Sequence, residues 1–328
     1  MSHRASYSIA IRTLGAAGDK FRMELESIIT QTVQPERVMV YIAEGYPRPE
    51  FTVGREEYVW VKKGMVAQRA LPYDDISSEY IMMLDDDVML AAESAERMIK
   101  ALEENDAYCV GADVFQNHKM PLKTKLYSAL TNLVFPHRSN KWAFKIHHNG
   151  SFSYNCHPSK SFYQSQSCGG PATMWRKDAF LRLHMSDERW LDQLGFTYGE
   201  DALMTYKLHL NSGKLGVLYD SGITNLDAQS ASADFKKSAD YICNRTKASY
   251  MVWYRSLFRN GKDTAASRLA ASFAFWFKAL WLVFVMCGAA LIKRDGRFCS
   301  EYFRGLREGR KAVHSELFKV LPPYFIKQ

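Results

Sequence analysis

An α/β fold with a mainly parallel central sheet is the architecture that this 328-residue sequence predicts. Three observations carry the expectation. Short apolar runs alternate with amphipathic stretches through the first half of the chain, and a β-α-β rhythm of this kind builds parallel sheets covered by helices on both faces. The apolar run Tyr80-Ile81-Met82-Met83-Leu84 ends in three consecutive aspartates, Asp85, Asp86 and Asp87. Unpaired carboxylates have no place in a dry core, so the triplet belongs at a strand's carboxyl end, where open α/β sheets place their ligand crevice. Finally, a chain of this length with 47% hydrophobic and 24% charged residues can bury one large core and carry an appendage.

Taken in order, Tyr7 to Thr13 (YSIAIRT) reads as the first strand. Asp19 is placed to cap a helix running to about Gln31, with Phe21, Leu25, Ile28 and Ile29 on one face. Val38 to Ala43 and the shorter Tyr58 to Val61 read as strands, Met65 to Pro72 as a brief helix, and Tyr80 to Leu84 as the strand that delivers the aspartates. An amphipathic helix over Ala91 to Glu104 and a strand over Ala107 to Ala112 follow. From about 115 to 167 the rhythm is lost in a long stretch rich in His, Asn, Lys, Ser and aromatics, expected as an irregular insertion of functional use. Regularity returns at Cys168-Gly169-Gly170-Pro171, with a helix from about Lys177 to Leu183, another from about Ala202 to Asn211, and a strand from Leu215 to Tyr219.

The last part differs. Leu269 to Ile292 holds one charge, Lys278, and as a helix it would extend about 36 Å, enough to cross a bilayer core of about 30 Å. Beyond it, Phe298, Tyr302, Phe303 and Leu306 interleave with Arg304, Arg307, Arg310 and Lys311, the pattern of a basic amphipathic helix. The net charge of +8 is concentrated there: residues 236–328 carry +12 and the rest −4. A basic tail beside an apolar stretch points to an anionic membrane surface, and the acidic balance of residues 1–235 argues against nucleic acid. A catalytic domain over 1–235 and a helical membrane-associating region over 236–328 are therefore expected. A helix buried in a soluble core is the alternative for the apolar stretch. Six scattered cysteines without a CxxC pair read as free thiols of a reducing compartment. His147, His148, Cys156 and His157 match no closed zinc spacing. No apolar signal segment precedes the first strand, so the cytoplasmic face of the plasma membrane is the expected location, with a peripheral or C-terminal attachment.

The triplet itself offers two readings. If the strand continues through it, Asp85 and Asp87 point the same way and form a site for a hard divalent cation that also holds a phosphate. Otherwise the three acids form a solvated loop or the first turn of a helix.

Four pieces, in order, carry a resemblance to family 2 glycosyltransferases of the GT-A fold, especially bacterial enzymes of surface-polysaccharide assembly. They are Leu25-Glu26-Ser27-Ile28-Ile29-Thr30-Gln31-Thr32, Lys63-Gly64 with Gln68-Arg69, Tyr80 through Val88, and Gly199-Glu200-Asp201. The resemblance covers about residues 6–230. It implies a GT-A, Rossmann-like sheet and inverting transfer of one sugar from a nucleotide-sugar, expected to be a UDP-sugar, to a lipid-linked or polysaccharide acceptor. It also implies Mg2+ or Mn2+ as cofactor. By resemblance, Asp87 would ligate the metal, Asp85 would contact the nucleotide and share the metal site, and Asp86 could serve either role. Thr13, Glu44 and Arg69 would lie at the nucleotide or its diphosphate. Asp201 would be the general base, with Glu200 as alternate. Gly169 and Gly170 would line the acceptor side, with Trp175 or Trp190 available to stack on a sugar, though burial is the commoner fate of tryptophan.

One departure stands out. The histidine that many members carry after the Glu-Asp pair is absent, and Asn225 or Asp227 is the oxygen donor available in its place. The QxxRW pattern of processive synthases is also missing after the pair, which favours transfer of a single sugar. A non-catalytic, membrane-bound nucleotide- or glycan-binding subunit of the same fold is the second hypothesis.

Overall fold

The computed structural model describes residues 5–116, 119, 121–194, 199–226 and 239–326. At its centre is an eight-stranded sheet. In spatial order its strands are β3 (Glu56–Val61), β2 (Val38–Ala43), β1 (Tyr7–Thr13), β4 (Tyr80–Asp85), β10 (Ala172–Arg176), β6 (Cys109–Ala112), β11 (Leu215–Leu218) and β9 (Phe162–Gln164). The block from β3 to β4 is parallel throughout, and β11 runs parallel to β6. Strand β10 enters antiparallel between β4 and β6, and β9 closes the far edge antiparallel to β11. The sheet is thus mostly parallel, as the sequence predicts, with one antiparallel strand at its middle.

Strand periodicity divides the core in two. Ile9, Ile11, Val40, Met82 and Leu84 face a cluster with Phe21, Leu25 and Ile28 of α1 (Asp19–Ile29) and Met98 and Leu102 of α2 (Ser94–Glu104). Ala10, Met39, Tyr41, Ile81 and Met83 face the opposite cluster, built with Leu203, Met204 and Leu208 of α5 (Glu200–Ser212) and with the C-terminal helices.

Several boundaries differ from expectation. Asp19 opens α1 without capping it; Gly18 takes the preceding position at φ 57°, and no side chain bonds to the helix end. Ile29 is exposed, so the buried stripe ends at Ile28. Residues 65–72 form turns rather than a helix, held by Ala70 N–H donating to Val66 O at 2.7 Å and by the Asp192 carboxylate, which accepts from Val66 N at 2.8 Å and Ala67 N at 3.0 Å. The stretch 115–167 is more regular than its composition suggests. It contains α3 (Leu122–Asn132), an antiparallel pair of β7 (Phe144–Ile146) and β8 (Phe152–Tyr154), and β9 of the main sheet. After β10 come α4 (Lys177–Leu181) and a 3-10 stretch, Met185–Leu194.

The C-terminal region shares the core of the sheet. It comprises α6 (Ala239–Trp253), a π-helical turn (Tyr254–Phe258), α7 (Ala265–Lys293), α8 (Arg297–Val313) and α9 (Glu316–Lys319). Fully buried Glu188 accepts from Arg255 Nη2 at 2.9 Å, Lys207 Nζ at 3.1 Å and the Trp190 indole at 2.8 Å. The Tyr324 hydroxyl donates to Leu203 O, and Ile326 N donates to Asn211 Oδ1 at 2.9 Å. The apolar side of α8, expected at an interface, is used only in part within the protein: Tyr302 is buried and donates to Ala279 O, Gly305 and Gly309 let α8 pack closely on α6, and Phe303 stays exposed.

Candidate active site

The carboxyl ends of β1 and β4 lie side by side, and their register sets Arg12 opposite Asp85. Arg12 donates to both Asp85 oxygens, Nε to Oδ1 at 2.5 Å and Nη2 to Oδ2 at 3.1 Å. Arg69, carried on the turn that Asp192 pins, reaches Asp85 Oδ1 at 2.7 Å and the Gly170 carbonyl at 2.8 Å, and its other nitrogen binds Asp201 Oδ1. Burial by itself would push Asp85 upward, but the two guanidiniums outweigh it and hold the carboxyl well below its ordinary range. Arg69 is raised in turn: Asp85, Asp201 and Glu200 outweigh the burial that opposes its charge. Asp85 was expected to ligate a metal and face the nucleotide. In this structure both its oxygens accept from arginine, Oδ1 from Arg12 and Arg69 and Oδ2 from Arg12, which ties the end of β4 to β1 and to the turn carrying Arg69.

The strand ends at Asp85, and Asp86 and Asp87 form the turn into β5 (Val88–Leu90). Strand alternation therefore does not set the direction of Asp87. The Thr13 hydroxyl donates to Asp86 Oδ2 at 2.5 Å and accepts from Gly15 N at 2.8 Å. Burial, against the Thr13 bond and with Asp85 and Asp87 adding, pushes Asp86 up to about 6. Beneath the turn lies Glu24 of α1, 0% exposed, with neither carboxyl oxygen hydrogen-bonded. Burial, then the proximity of Asp86, Asp85 and Asp87, raises Glu24 well above its ordinary value.

Three carboxyls beyond the arginine-neutralised Asp85 thus converge on one turn. A hard divalent cation suits that donor chemistry. No cluster of three or more His, Cys, Asp or Glu side chains with ligating geometry occurs among the described residues. The turn would therefore offer one or two carboxylates, Asp86 and Asp87, to such a cation. Strand β12 (Ile223–Asn225) pairs with β5, setting Asn225 opposite Val88, and Leu226 N donates to Asp87 O at 2.7 Å. The chain following the Glu-Asp pair thus does return to the aspartate turn. Asp227 lies outside the described residues.

Glu200 and Asp201 open α5 at the far side of Arg69. Glu200 is buried, 3.6 Å from Arg12 and 3.8 Å from Arg69. Burial and then Asp201 push it up to about 7, against the two arginines. The Asp201 side chain keeps 30% exposure. Gly170 is required where it stands: a Cβ there would collide with both the Asp201 carboxylate and Arg69 Nη1. Gly169 packs near the exposed ring of Phe115. Glu44 follows β2 and is exposed at the same sheet edge as Thr13, whose strand neighbours its own.

The structure does not bring every expected residue into the cleft. Trp175, expected at the acceptor, is 2% exposed, with its indole donating to Thr173 Oγ1 at 2.9 Å and its ring against Phe180. Trp190 is likewise buried against Phe318. Trp175 is turned inward because β10 lies mid-sheet, and Trp190 because the 3-10 stretch packs against the C-terminal helices. Arg12, Glu24 and Asp192 escaped sequence reading, although Arg12, a charge within an otherwise apolar strand, was a visible signal. Two open hollows, of about 470 and 530 Å3, lie at the opposite sheet edge around Glu79, Asp106 and Lys214, away from this cluster of charges.

No family model matches the chain, and no curated protein matches it. Among solved structures it is similar to that of GalNAc-T7 with UDP, GalNAc and Mn2+, with a TM-score of 0.51 and 10% identity. The similarity covers 85% of this chain and 56% of that one, so the chain spans little more than half the length of its structural neighbour. The fold is therefore of the GT-A type.

Proposed function

We propose that this chain is a metal-assisted, inverting glycosyltransferase that moves one sugar from a nucleotide-sugar donor, a UDP-sugar, to a lipid-linked or polysaccharide acceptor. One observation carries the reading: the aspartate turn, two arginines and the Glu200–Asp201 helix start converge at the carboxyl edge of the sheet. The UDP and Mn2+ bound by the structurally similar GalNAc-T7 support the donor and cofactor assignments.

Asp86 and Asp87 would hold the cation, Mg2+ or Mn2+, and Thr13 fixes Asp86 through its hydroxyl. When bound, the cation neutralises the diphosphate as it leaves. Glu44, exposed at the same edge, is placed for the nucleotide. Asp201, the more exposed of the two acids, accepts the proton of the acceptor hydroxyl as that oxygen attacks the sugar carbon from the face opposite the diphosphate. Its present partner, Arg69, gains a competing anion when a diphosphate enters, which would release Asp201 to act as base. Gly169 and Gly170 keep the acceptor side open.

The decisive experiment is a thermal-shift screen of nucleoside diphosphates with and without Mn2+, followed by diphosphate release from the matching donor. Mn2+-dependent stabilisation by one nucleotide together with release supports the reading. Binding without release for any acceptor supports the non-catalytic alternative, and no nucleotide effect at all would discard both.

A further inference from the structure

We propose that α3 and α7 together form an in-plane dock for an anionic lipid bilayer, and that α7 does not cross it. Helix α7 is long and apolar enough to span a membrane by length and composition. Its surroundings argue otherwise. Ala271, Phe275 and Ala279 are buried, with Phe275 stacked on Trp253, and Lys278 donates to Ser151 at 2.6 Å. The Trp281 indole donates to Leu130 O of α3 at 2.7 Å. The stretch beyond Trp281, up to Lys293, extends about 18 Å, short of a hydrocarbon core of about 30 Å. The chain after α7 then returns to the catalytic body: α8 packs on α6, and Tyr324 and Ile326 bond to Leu203 and Asn211. A helix whose two flanks lie on one body cannot deliver them to opposite sides of a bilayer.

The apolar surface that remains is shared. Phe273, Phe277 and Leu280 of α7 are exposed, and so are Leu126, Tyr127 and Leu130 of α3, the helix joined to it through Trp281. An exposed apolar face of this extent marks an interaction site. Its occupant is read from charge. Exposed Lys123 lies on α3, Lys293 and Arg294 close α7, and Arg307, Arg310 and Lys311 lie on the solvent side of α8. Exposed apolar side chains on helices that also carry exposed cations, with further cations on neighbouring α8, complement the acyl chains and anionic headgroups of a leaflet.

The test is flotation of the full-length chain with phosphatidylcholine vesicles, with and without phosphatidylglycerol. Binding is expected with the anionic vesicles and should weaken as salt is added. The double variant Leu126→Glu/Leu130→Glu should melt like the parent and lose about tenfold or more in vesicle affinity. Phe273→Glu/Phe277→Glu should do the same from the α7 side. A correctly folded α3 variant that floats like the parent, including one that only changes self-association, overturns the dock. Tags at both termini should be digested equally from outside sealed vesicles, and protection of one tag alone overturns the in-plane arrangement. Flotation reads membrane contact and diphosphate release reads chemistry, so either proposal can fail without the other.

Discussion

Arg69 links everything at the residue scale. Removing it would leave Asp85, Asp201 and Glu200 without their shared counter-charge in a buried site, so Arg69→Met is expected to destabilise the fold by about 3–5 kcal/mol, read from urea denaturation. Arg69→Lys should rescue little of this, because a single ammonium cannot reproduce the planar fork that bridges two carboxylates. Asp201→Asn should lower kcat by roughly 10²–10⁴ while leaving the nucleotide-induced thermal shift intact. Glu200 carries a pH signature. Its carboxyl in the fold titrates near 7, pushed up by burial and Asp201, whereas in the unfolded chain it titrates near its ordinary value. The folded state therefore holds a proton that the unfolded state releases, and this group's contribution, complete below the unfolded pKa, is lost as pH rises to about 7. Glu200→Gln should flatten the fall in melting temperature over that window. The aspartate triplet was legible in the sequence because three acids ending an apolar run have few places to go. Glu24 was not, and Arg12 stood out only as a charge within an apolar strand, since their partners are set when β1 registers against β4 and α1 covers the turn.

At the scale of elements, the turn over residues 64–70 shows how one remote side chain sets a loop. Asp192 accepts from two of its N–H groups and lies where a Cβ on Gly64 would fall. Asp192→Ala should cost about 1–3 kcal/mol and raise the KM for the donor, because Arg69 and Gln68 lose their anchorage. Gln68 shares that dependence: its amide donates to Thr13 O at 3.1 Å and Tyr41 O at 3.2 Å, tying the turn to β1 and β2. Sequence periodicity found the long buried strands within a residue or two, since β1, β2 and β4 are nearly continuous apolar runs. It read 65–72 as a helix because the local pattern is helical, and the stabilising partner is a carboxylate far along the chain. It passed over β10, whose five residues look like a connection after Gly169-Gly170-Pro171 yet fill the middle of the sheet.

For the whole molecule, the division at about residue 235 describes composition better than packing. The basic, apolar C-terminal region holds the sheet's second core in place through Arg255 on Glu188 and through the side chains of Tyr250, Trp253, Phe275 and Tyr324. Arg255→Ala would strand a buried carboxylate that now lies below its ordinary pKa despite burial, through its bonds with Arg255 and Lys207. A loss of about 3–5 kcal/mol in chemical denaturation is expected, with residues 5–226 and 239–326 unfolding in a single transition. Charge counting could not reveal this, because the same aromatic residues that favour a lipid surface also favour a protein core.

The antiparallel strand at the middle of the sheet also bears on how the chain is made. Strand β4 and strand β6 both leave the ribosome long before Ala172–Arg176, the segment that joins them edge to edge. Until it arrives, the two strands present bare hydrogen-bonding edges, and Arg69 lacks the Gly170 carbonyl that lies just before it. Contacts this distant in sequence form slowly. The nascent chain therefore passes through an aggregation-exposed interval that ends only when β10 docks between β4 and β6, and a holdase acting before residue 176 emerges should raise the yield of folded protein more than one added after release.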